Sequence, residues 1–226
     1  MNISKRLLCA ANMIEECNCL ADIGTDHGYI PAYAVINKYA KKAIASDINS
    51  GPLKIADRTF KRYGISNNIE LREGDGLDVL KEKEADIIVI AGMGGNSIVD
   101  ILNKNIEIAK EAVLILQPMQ YPEIVRKYLS SSCFDIVKED IVKEDNKFYH
   151  TMKAIKGSGV KYDKDVYYYT GLSLIQSKHP VLKEYVIFKI NQINNIILGM
   201  PKGYEGKRLN ELIKLKNEFE EVLKWL

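Results

Sequence analysis

Short apolar runs alternate with helix-like stretches over the first 155 residues of the chain. The runs that we predict to be strands are Cys19–Ile23, Ala43–Asp47, Ile69–Arg72, Asp86–Ala91 and Val113–Gln117. The last two are continuously apolar, which is typical of strands buried on both faces of a parallel sheet. Between the strands lie the predicted crossover helices Ile30–Tyr39, Leu53–Tyr63, Ser97–Lys104 and Glu123–Ser130. The alternation predicts a doubly wound α/β domain.

This alternation ends in two adjacent strand-like segments, Phe134–Val142 and Phe148–Ile155. The polar connection between them, which contains Glu144–Asn146, is suited to a hairpin and is too short for a crossover helix. We therefore predict five parallel strands followed by an antiparallel hairpin. This order resembles class I S-adenosylmethionine-dependent methyltransferases, whereas a dinucleotide-binding Rossmann domain more often continues with parallel strand–helix units.

The remaining chain has a different pattern, which begins after a predicted linker at Lys156–Gly159. From Leu182 onward, apolar residues recur every three or four positions in two stripes, and the breakers of Pro201–Gly206 separate them. We expect two amphipathic helices that pair as an antiparallel coiled coil, preceded by a further helix within Asp165–Ser177. The predicted domains are residues 1–156, which form the α/β domain, and residues 157–226, which form a helical domain.

The composition, with 46% hydrophobic and 27% charged residues, is that of an ordinary globular protein and excludes a mainly disordered chain. No apolar stretch is long enough to span a membrane, and the N-terminal residues do not resemble a signal peptide. Four cysteines, at positions 9, 17, 19 and 133, form no C-x-x-C pair, so we expect reduced, mostly buried thiols in a cytoplasmic protein. The histidines His27, His150 and His179 lie far apart without carboxylates at ligand spacing, so we expect no metal site.

The net charge of +2 is unevenly distributed along the chain. Up to Ile155 there are 20 Lys+Arg against 22 Asp+Glu, which gives −2; from Lys156 onward there are 12 against 8, which gives +4. A basic tail on an acidic domain suggests a polyanionic partner for the tail. A solvated, lysine-rich helix surface would explain the same numbers, and charge alone does not separate the two interpretations.

Candidate chemistry begins in the turn after the first predicted strand, Asp22–Gly28 (DIGTDHG). The turn lacks G-x-G-x-x-G but matches the methyltransferase pattern acidic-x-G-x-G-x-G, with Asp26 in place of the middle glycine. Small residues there allow the backbone to approach a cofactor, and aspartate tolerates a left-handed backbone. A carboxylate at this position would repel a pyrophosphate but could face an ammonium or a sulfonium. Alternatively, Asp26 only N-caps the following helix.

Four further clusters follow the next predicted strands. Asp47 suits hydrogen bonds to ribose hydroxyls and is followed by a sharp turn at Asn49–Pro52, while Asp75 could reach an adenine amino group. After the fourth strand comes the glycine-rich loop Ala91–Gly95, and Gln117 ends the fifth strand. All five clusters fall at carboxyl ends of parallel strands, where ligands bind in open α/β sheets. The candidate cofactor-binding residues are Asp22, Gly24, Asp26, His27, Gly28, Asp47, Ile48, Asn49, Gly74, Asp75, Gly76, Ala91 and Gly92.

These residues resemble bacterial tRNA (adenine-N1)-methyltransferases that modify position 22, and the resemblance extends over nearly the whole chain. The matching stretches are Ser4–Leu7, Asp22–Pro31, Asp47–Pro52, Asp75–Leu77, Ile90–Gly95 and Leu114–Pro118. The Ala-Gly-Met-Gly-Gly loop is the most specific of them, and Asp26 is typical of the family. The resemblance implies S-adenosylmethionine as cofactor, N1 of an adenine in the D-arm region of tRNA as target, and a C-terminal coiled coil that helps to hold tRNA. Met119 departs from the asparagine expected after Gln-Pro.

The target chemistry suggests roles for individual residues. Adenine N1 needs no proton removed, so positioning matters more than base catalysis. The methylated base is cationic, and the Asp26 carboxylate could stabilise it. The catalytic candidates are Asp26, Met93, Gly94 and Gln117, with Tyr29 either stacking on the base or packing, and His27 either catalytic or structural. The RNA-binding candidates are Lys5, Arg6, Lys183, Lys189, Lys207 and Arg208, with Lys202, Lys214 and Lys216 as further contacts.

Two other functions remain open at this level. The chain could be a non-catalytic tRNA-binding protein on a methyltransferase fold, although intact Asp22, Gly24, Asp47 and Asp75 argue against a decayed site. It could also methylate a small molecule or a protein, although such a substrate needs no basic helical arm. The leading hypothesis is a tRNA methyltransferase that needs no obligate protein partner and acts as a monomer.

Overall fold

The computed structural model describes residues 1, 3–201 and 203–226, so Lys202, a predicted RNA contact, lies outside the described residues. The chain divides into two compact units, Met1–Val160 and Lys161–Leu226.

The first unit is built on a seven-stranded sheet with the strand order β3-β2-β1-β4-β5-β7-β6. Strands β1 to β5 run parallel to one another, and β7 runs antiparallel to both β5 and β6. The prediction of five parallel strands followed by an antiparallel hairpin is therefore confirmed. The strands are β1 (Cys17–Ile23), β2 (Ala40–Asp47), β3 (Ile69–Glu73), β4 (Ile87–Gly94), β5 (Val113–Gln120), β6 (Phe134–Glu144) and β7 (Lys147–Lys156).

In the described part of this unit, six α-helices and two 3₁₀ helices connect and cover these strands. The α-helices are α1 (Lys5–Ala11), α2 (Tyr29–Ile36), α3 (Ser50–Tyr63), α4 (Gly95–Lys104), α5 (Ile106–Lys110) and α6 (Pro122–Ser131). The 3₁₀ helices are Ser66–Asn68 and Gly76–Val79. Sequence periodicity did not predict α1 or α5, because each is short; the side chain of Ser4 caps α1 by accepting a hydrogen bond from the main-chain N–H of Leu7.

Two predicted boundaries near the site are wrong. Helix α2 ends at Ile36 instead of Tyr39, because Lys38 has a φ of 62° and its left-handed backbone cannot continue a helix. The predicted sharp turn at Asn49–Pro52 is instead the start of α3, since proline fits the first turn of a helix, where its missing N–H leaves no bond unmade.

The central strands are buried on both faces, as the continuously apolar runs predicted. In β4, Ile88 and Ile90 belong to one core cluster, whereas Ile87 and Val89 belong to a second cluster on the other face. All four side chains are at most 3% exposed. The hairpin is closed by Asp145 and Asn146, whose φ values of 48° and 59° match the two-residue turns that suit twisted strands.

The first unit ends at Val160, after the predicted domain boundary at Lys156. The intervening residues are bonded to β6 and α6: the N–H of Gly159 donates to the Asp135 carboxylate at 2.9 Å, and the Ser130 hydroxyl donates to the Val160 carbonyl at 2.6 Å. The segment interpreted from composition as a linker therefore packs as part of the first unit.

The second unit consists of α7 (Asp165–Thr170), α8 (Leu172–Gln176), α9 (Leu182–Leu198) and α10 (Lys207–Trp225). The single helix expected within Asp165–Ser177 is interrupted at Gly171, whose φ is 83°. The predicted apolar stripes supply buried residues to α9 and α10, among them Val186, Ile193, Phe219 and Val222. Pairing of the two helices as a coiled coil stays a prediction.

The structure also shows the state of the cysteines and whether the described residues could hold a metal ion or cross a membrane. All four cysteines are free; Cys9 and Cys19 are buried, but Cys133 is exposed. Burial raises the pKa of Cys9 to about 12, which keeps that thiol protonated. Among the described residues, no group of histidine, cysteine or acidic side chains has the arrangement of a metal site. No helix in the described part of the chain is long and apolar enough to cross a membrane.

Candidate active site

The candidate site lies where the strand order reverses, between β1 and β4. In open α/β sheets the chain leaves two neighbouring strands in opposite directions at this point, which opens a crevice at their carboxyl ends. Here the crevice holds a cavity of about 500 Å³. Its wall is formed by Ser4, Arg6, Leu7, Asp22, Gly24, Asp26, His27, Gly28, Tyr29, Ile30, Ala91, Gly92 and Met93.

The turn after β1 brings the backbone close to the cavity. The N–H groups of Gly24 and Thr25 both donate to the Ser46 carbonyl, at 2.8 and 2.7 Å, and so hold the turn against β2. Gly24 has a φ of 76°, and a Cβ atom there would collide with the side chain of Met93. Glycine suits the left-handed backbone at this position, and the absence of a side chain lets Met93 lie against the turn.

Asp22 lies at the base of the cavity wall and is only 5% exposed. Burial raises the pKa of its carboxyl group to about 7, and the negative charge of Asp47 adds to the rise. The Asp22 carboxyl is therefore poised between its neutral and ionised forms near neutral pH, where a bound cation would favour ionisation.

Asp26 lies at the mouth of the cavity, with its side chain 75% exposed. Its carboxylate is 3.3 Å from Nε2 of His27, whose ring stacks on Tyr29 at a centroid distance of 5.4 Å. The left-handed positions of this turn are Gly24 and Gly28, so Asp26 does not need the backbone tolerance that the sequence suggested. The N-cap of α2 is Gly28, which excludes the alternative that Asp26 caps this helix.

The predicted loop after β4 is instead an irregular extension of that strand. The pairing of β4 with β5 continues to Gly94, with register shifts on both sides of Met93, and Gly92 has a φ of 83°. Such shifts are bulges, which re-aim side chains at the edge of a sheet. The result is that Ala91, Gly92 and Met93 reach the cavity wall.

Arg6 was predicted to contact RNA, but the structure places it in the cavity wall. Its Nη1 atom donates to Oε1 of Gln117 at 3.3 Å, and the Gln117 amide nitrogen donates to the Pro118 carbonyl at 3.0 Å. Gln117 is fully buried, so its position does not support the interpretation of Gln117 as a catalytic candidate. The amide instead holds Arg6. The signal in the sequence that points to Arg6 as a site residue is the Ser4–Leu7 stretch, which matches the family.

The other predicted cofactor residues are not among those that line this cavity; they lie at the carboxyl ends of β2 and β3, on the β1 side of the switch point. The Asp47 carboxylate accepts a hydrogen bond from the Asn49 N–H at 2.8 Å, and the Gly74 N–H donates to the Asp47 carbonyl at 3.0 Å. Ile48 is 61% exposed, which is unusual for an apolar side chain and suits contact with a flat ring. These positions lie side by side because β2 and β3 are parallel neighbours.

Asp75, the candidate partner of the adenine amino group, is held by another residue. Its carboxylate is 2.9 Å from Nζ of Lys104, which also pairs with Asp78. Gly76 follows with a φ of 56° and begins the second 3₁₀ helix. Asp75 can accept a further hydrogen bond, since a carboxylate has several lone pairs.

The predicted RNA-binding residues of the second unit are surface residues of α9 and α10. Lys183, Lys207 and Arg208 are exposed, and Lys189 is half-buried. Lys189 lies over the ring of Tyr169 at 5.4 Å and donates to Gln192 at 2.9 Å. In the first unit, the main-chain N–H of Lys5 donates to the Glu144 carboxylate at 2.7 Å.

A parallel sheet with an antiparallel hairpin at one edge, and a glycine-rich, acidic cavity at its switch point, define a class I methyltransferase. Consistent with this class, a family model described as a methyltransferase domain matches residues 3–152. The tRNA (adenine(22)-N(1))-methyltransferase of Bacillus subtilis (strain 168) is 42% identical over 176 residues, which cover 77% of this chain and 71% of that protein. The chain belongs to the family of tRNA (adenine(22)-N(1))-methyltransferases.

Solved structures extend this similarity to the whole chain. The crystal structure of the B. subtilis M1A22 tRNA methyltransferase TrmK matches with a TM-score of 0.88 at 32% identity, covering 98% of this chain and 99% of that one. M. capricolum TrmK, solved in complex with S-adenosyl-homocysteine, matches with a TM-score of 0.86 at 25% identity, covering 99% and 98% of the two chains. The similarity therefore includes the helical second unit.

Proposed function

We propose that this protein transfers the methyl group of S-adenosylmethionine to N1 of an adenine in tRNA, at position 22. The supporting observation is the cavity at the switch point, where Asp22, Gly24, Asp26 and Met93 come together in a chain 42% identical to an enzyme of that name. We further propose that it acts as a monomer in the cytoplasm.

The residues present fit the cofactor chemically. When bound, S-adenosylmethionine supplies a methyl group carried on a positively charged sulfur. The cavity wall offers the carboxylates of Asp22 and Asp26 to positive charge, and Gly24 leaves room for a close approach. We assign Asp47 to the ribose hydroxyls, because it ends β2 beside β1 and its charge acts on Asp22. We assign Asp75 to the adenine amino group, because it follows β3, the next strand along the sheet.

The target base imposes a second requirement. N1 lies on the Watson–Crick edge of adenine, so a paired or stacked base must be turned out of its helix to reach the cavity. Its in-plane lone pair attacks directly, and the bond from methyl carbon to sulfur breaks as the bond to N1 forms. The enzyme therefore acts mainly by alignment.

Asp26 is the residue that we assign to charge stabilisation. Positive charge moves from sulfur to the adenine ring during transfer, and Asp26 carries a carboxylate at the cavity mouth. We assign the backbone at Met93 and Gly94 to the base edge, and Gln117 to the orientation of Arg6. Tyr29 lines the same cavity with its ring stacked on His27.

The experiment that tests this function is a comparison of total tRNA from cells with and without the gene. We expect N1-methyladenosine at position 22 only where the protein is present, and purified protein with S-adenosylmethionine should restore it to the unmodified tRNA. Cofactor binding without any methylation of tRNA would instead favour a non-catalytic tRNA-binding protein. Methylation of a small molecule or a protein, but not of tRNA, would favour a methyltransferase that acts on one of those substrates.

A further inference from the structure

The catalytic unit carries a basic surface that the charge count along the chain did not reveal. Helix α3 contains Lys54, Arg58, Lys61 and Arg62 against one acidic residue, Asp57. The first unit as a whole has slightly more acidic than basic residues, so this helix is a local concentration of positive charge. Local charge, not the total, determines where a polyanion binds.

Three of these cations share one face of the helix. Lys54, Arg58 and Arg62 are spaced four residues apart, so they form a single stripe, and all three side chains are exposed. Within the described residues, none of the three makes an ion pair, whereas Lys61 is paired with Asp57 at 2.6 Å. The stripe spans about 12 Å, given a rise of about 1.5 Å per helical residue.

The stripe ends at a second cavity, of about 300 Å³, lined by Met1, Tyr29, Thr59, Arg62 and Tyr63. The guanidinium of Arg62 lies over the ring of Tyr63, 5.9 Å from its centroid. Tyrosine rings and a guanidinium are the groups on which unstacked RNA bases stack. The volume is sufficient for a single nucleobase.

The two cavities are neighbours, because Tyr29 lines both of them. A base that is turned out into the catalytic cavity remains joined to its neighbours by phosphodiester bonds. An adjoining nucleotide must therefore lie close by, and it loses the stacking partner that the target base provided. A stacking site that shares a wall with the catalytic cavity compensates for that loss.

We propose that the Lys54–Arg58–Arg62 stripe binds successive phosphates of the tRNA, and that the Tyr29–Tyr63 cavity holds a nucleotide adjacent to the target adenine. This inference rests on the proposed function, since it takes tRNA as the substrate. It places part of tRNA recognition on the catalytic unit, in addition to the basic helices of the second unit.

The stripe is tested with the full-length triple variant Lys54→Gln, Arg58→Gln, Arg62→Gln. The matched control is Lys38→Gln, Lys81→Gln, Lys83→Gln, which removes three exposed lysines from the loops entering β2 and β4, at the opposite edge of the sheet. At about 0.15 M salt, we expect the stripe variant to bind tRNA about tenfold or more weakly, and the slope of log affinity against log salt to fall by about 2–3. The control should bind as the wild type does.

The nucleotide site is tested with Tyr63→Phe and Tyr63→Leu. The phenylalanine variant keeps a ring and should retain methylation, whereas the leucine variant should lose several-fold in kcat/KM for tRNA. Both should bind S-adenosylmethionine as the wild type does. Since Tyr63 also packs against the core, thermal unfolding of both variants must first show that they are folded.

The outcomes distinguish this inference from the proposed function. If the wild type produces no N1-methyladenosine in tRNA, the proposed function is wrong and the inference fails with it. If the wild type methylates tRNA but the stripe variant and its control bind tRNA with equal affinity and salt slope, only the stripe is wrong. Equal kcat/KM for the phenylalanine and leucine variants would overturn the nucleotide site.

Discussion

At the scale of single residues, the site depends on where two aspartates place their charge. Asp22 is buried and Asp26 is exposed, although only three residues separate them in the turn after β1. Burial penalises the charged form of a carboxyl group, while exposure lets water stabilise it. The two side chains therefore lie in different electrostatic environments, and their roles should be separable by mutation.

Replacement of Asp26 with asparagine should reduce methyl transfer without affecting the fold. The amide keeps the shape of the side chain but removes the negative charge opposite the developing positive charge, so we expect a loss of about tenfold or more in the single-turnover rate. The measurement uses saturating cofactor and tRNA, with Glu82→Gln at the opposite edge of the sheet as the control. A wild-type rate would show that this carboxylate has no part in the reaction.

The pKa of Asp22 predicts a pH dependence of stability. The value rises from an ordinary 3.8 to about 7 on folding, so the folded state binds an additional proton between about pH 4 and pH 7. The free energy of unfolding contributed by this group therefore falls as pH rises through that window, and is constant above it. We expect the free energy of unfolding of the wild type, measured with urea, to fall relative to that of Asp22→Asn as pH rises from about 4 to about 7. A difference between the two proteins that does not change with pH would contradict this prediction.

At the scale of elements, the turn after β1 depends on Gly24, which adopts a left-handed backbone and leaves room for the side chain of Met93. Gly24 and Gly64 both have positive φ values, 76° and 67°, but only Gly24 is approached closely, by Met93. A Cβ atom at Gly64 would meet open space. Substitution of these two glycines therefore separates two effects: the free-energy cost of a left-handed alanine, which both share, and the displacement of Met93 in the cavity wall, which occurs only at Gly24.

We expect Gly24→Ala and Gly64→Ala to lose similar stability, each about 1 kcal/mol, because both force alanine into a left-handed backbone. Met93 can move aside at little cost to the fold, but it then leaves its place in the cavity. Only Gly24→Ala should therefore weaken binding of S-adenosylmethionine, as titration calorimetry would measure. Equal cofactor affinity in both variants would mean that the close approach at Gly24 has no role in binding.

At the scale of the whole molecule, the division into two compact units predicts how removal of the second unit affects the first. A chain ending at Val160 keeps the hydrogen bonds of Gly159 and Val160 to α6 and β6, whereas a chain ending at Lys156 loses them. We expect the longer fragment to bind S-adenosylmethionine as the full chain does and to unfold at a higher temperature than the shorter one. Loss of cofactor binding in the longer fragment would show that the second unit is needed as a structural support.

The same fragment should bind tRNA more weakly than the full chain, because residues 161–226 carry 11 Lys+Arg against 8 Asp+Glu. Its affinity should still fall as salt rises, since the α3 stripe remains. Fluorescence titration against labelled tRNA at several salt concentrations measures both effects. An affinity equal to that of the full chain would remove the second unit from tRNA recognition.

The sequence by itself determined the fold class and the edge of the sheet that carries the site. Continuous apolar runs such as Asp86–Ala91, bounded by turn residues, are typical of strands covered on both faces, and the short connection containing Glu144–Asn146 suits a hairpin and not a crossover helix. Once the strands are parallel, the residues that follow them meet at one edge. For that reason the sequence predicts that Asp22, Gly24, Asp26 and Met93 lie together.

Only the tertiary structure decided which polar residues reach the cavity and which do not. Arg6 enters the wall because α1 packs beside the switch point, and Gln117 is withdrawn from it because Arg6 and Pro118 use its amide. The proximity of Tyr29 and Tyr63 likewise depends on how α2 and α3 pack. Local patterns specify periodicity and turns, but contacts between residues distant in sequence follow from packing, which no single segment encodes.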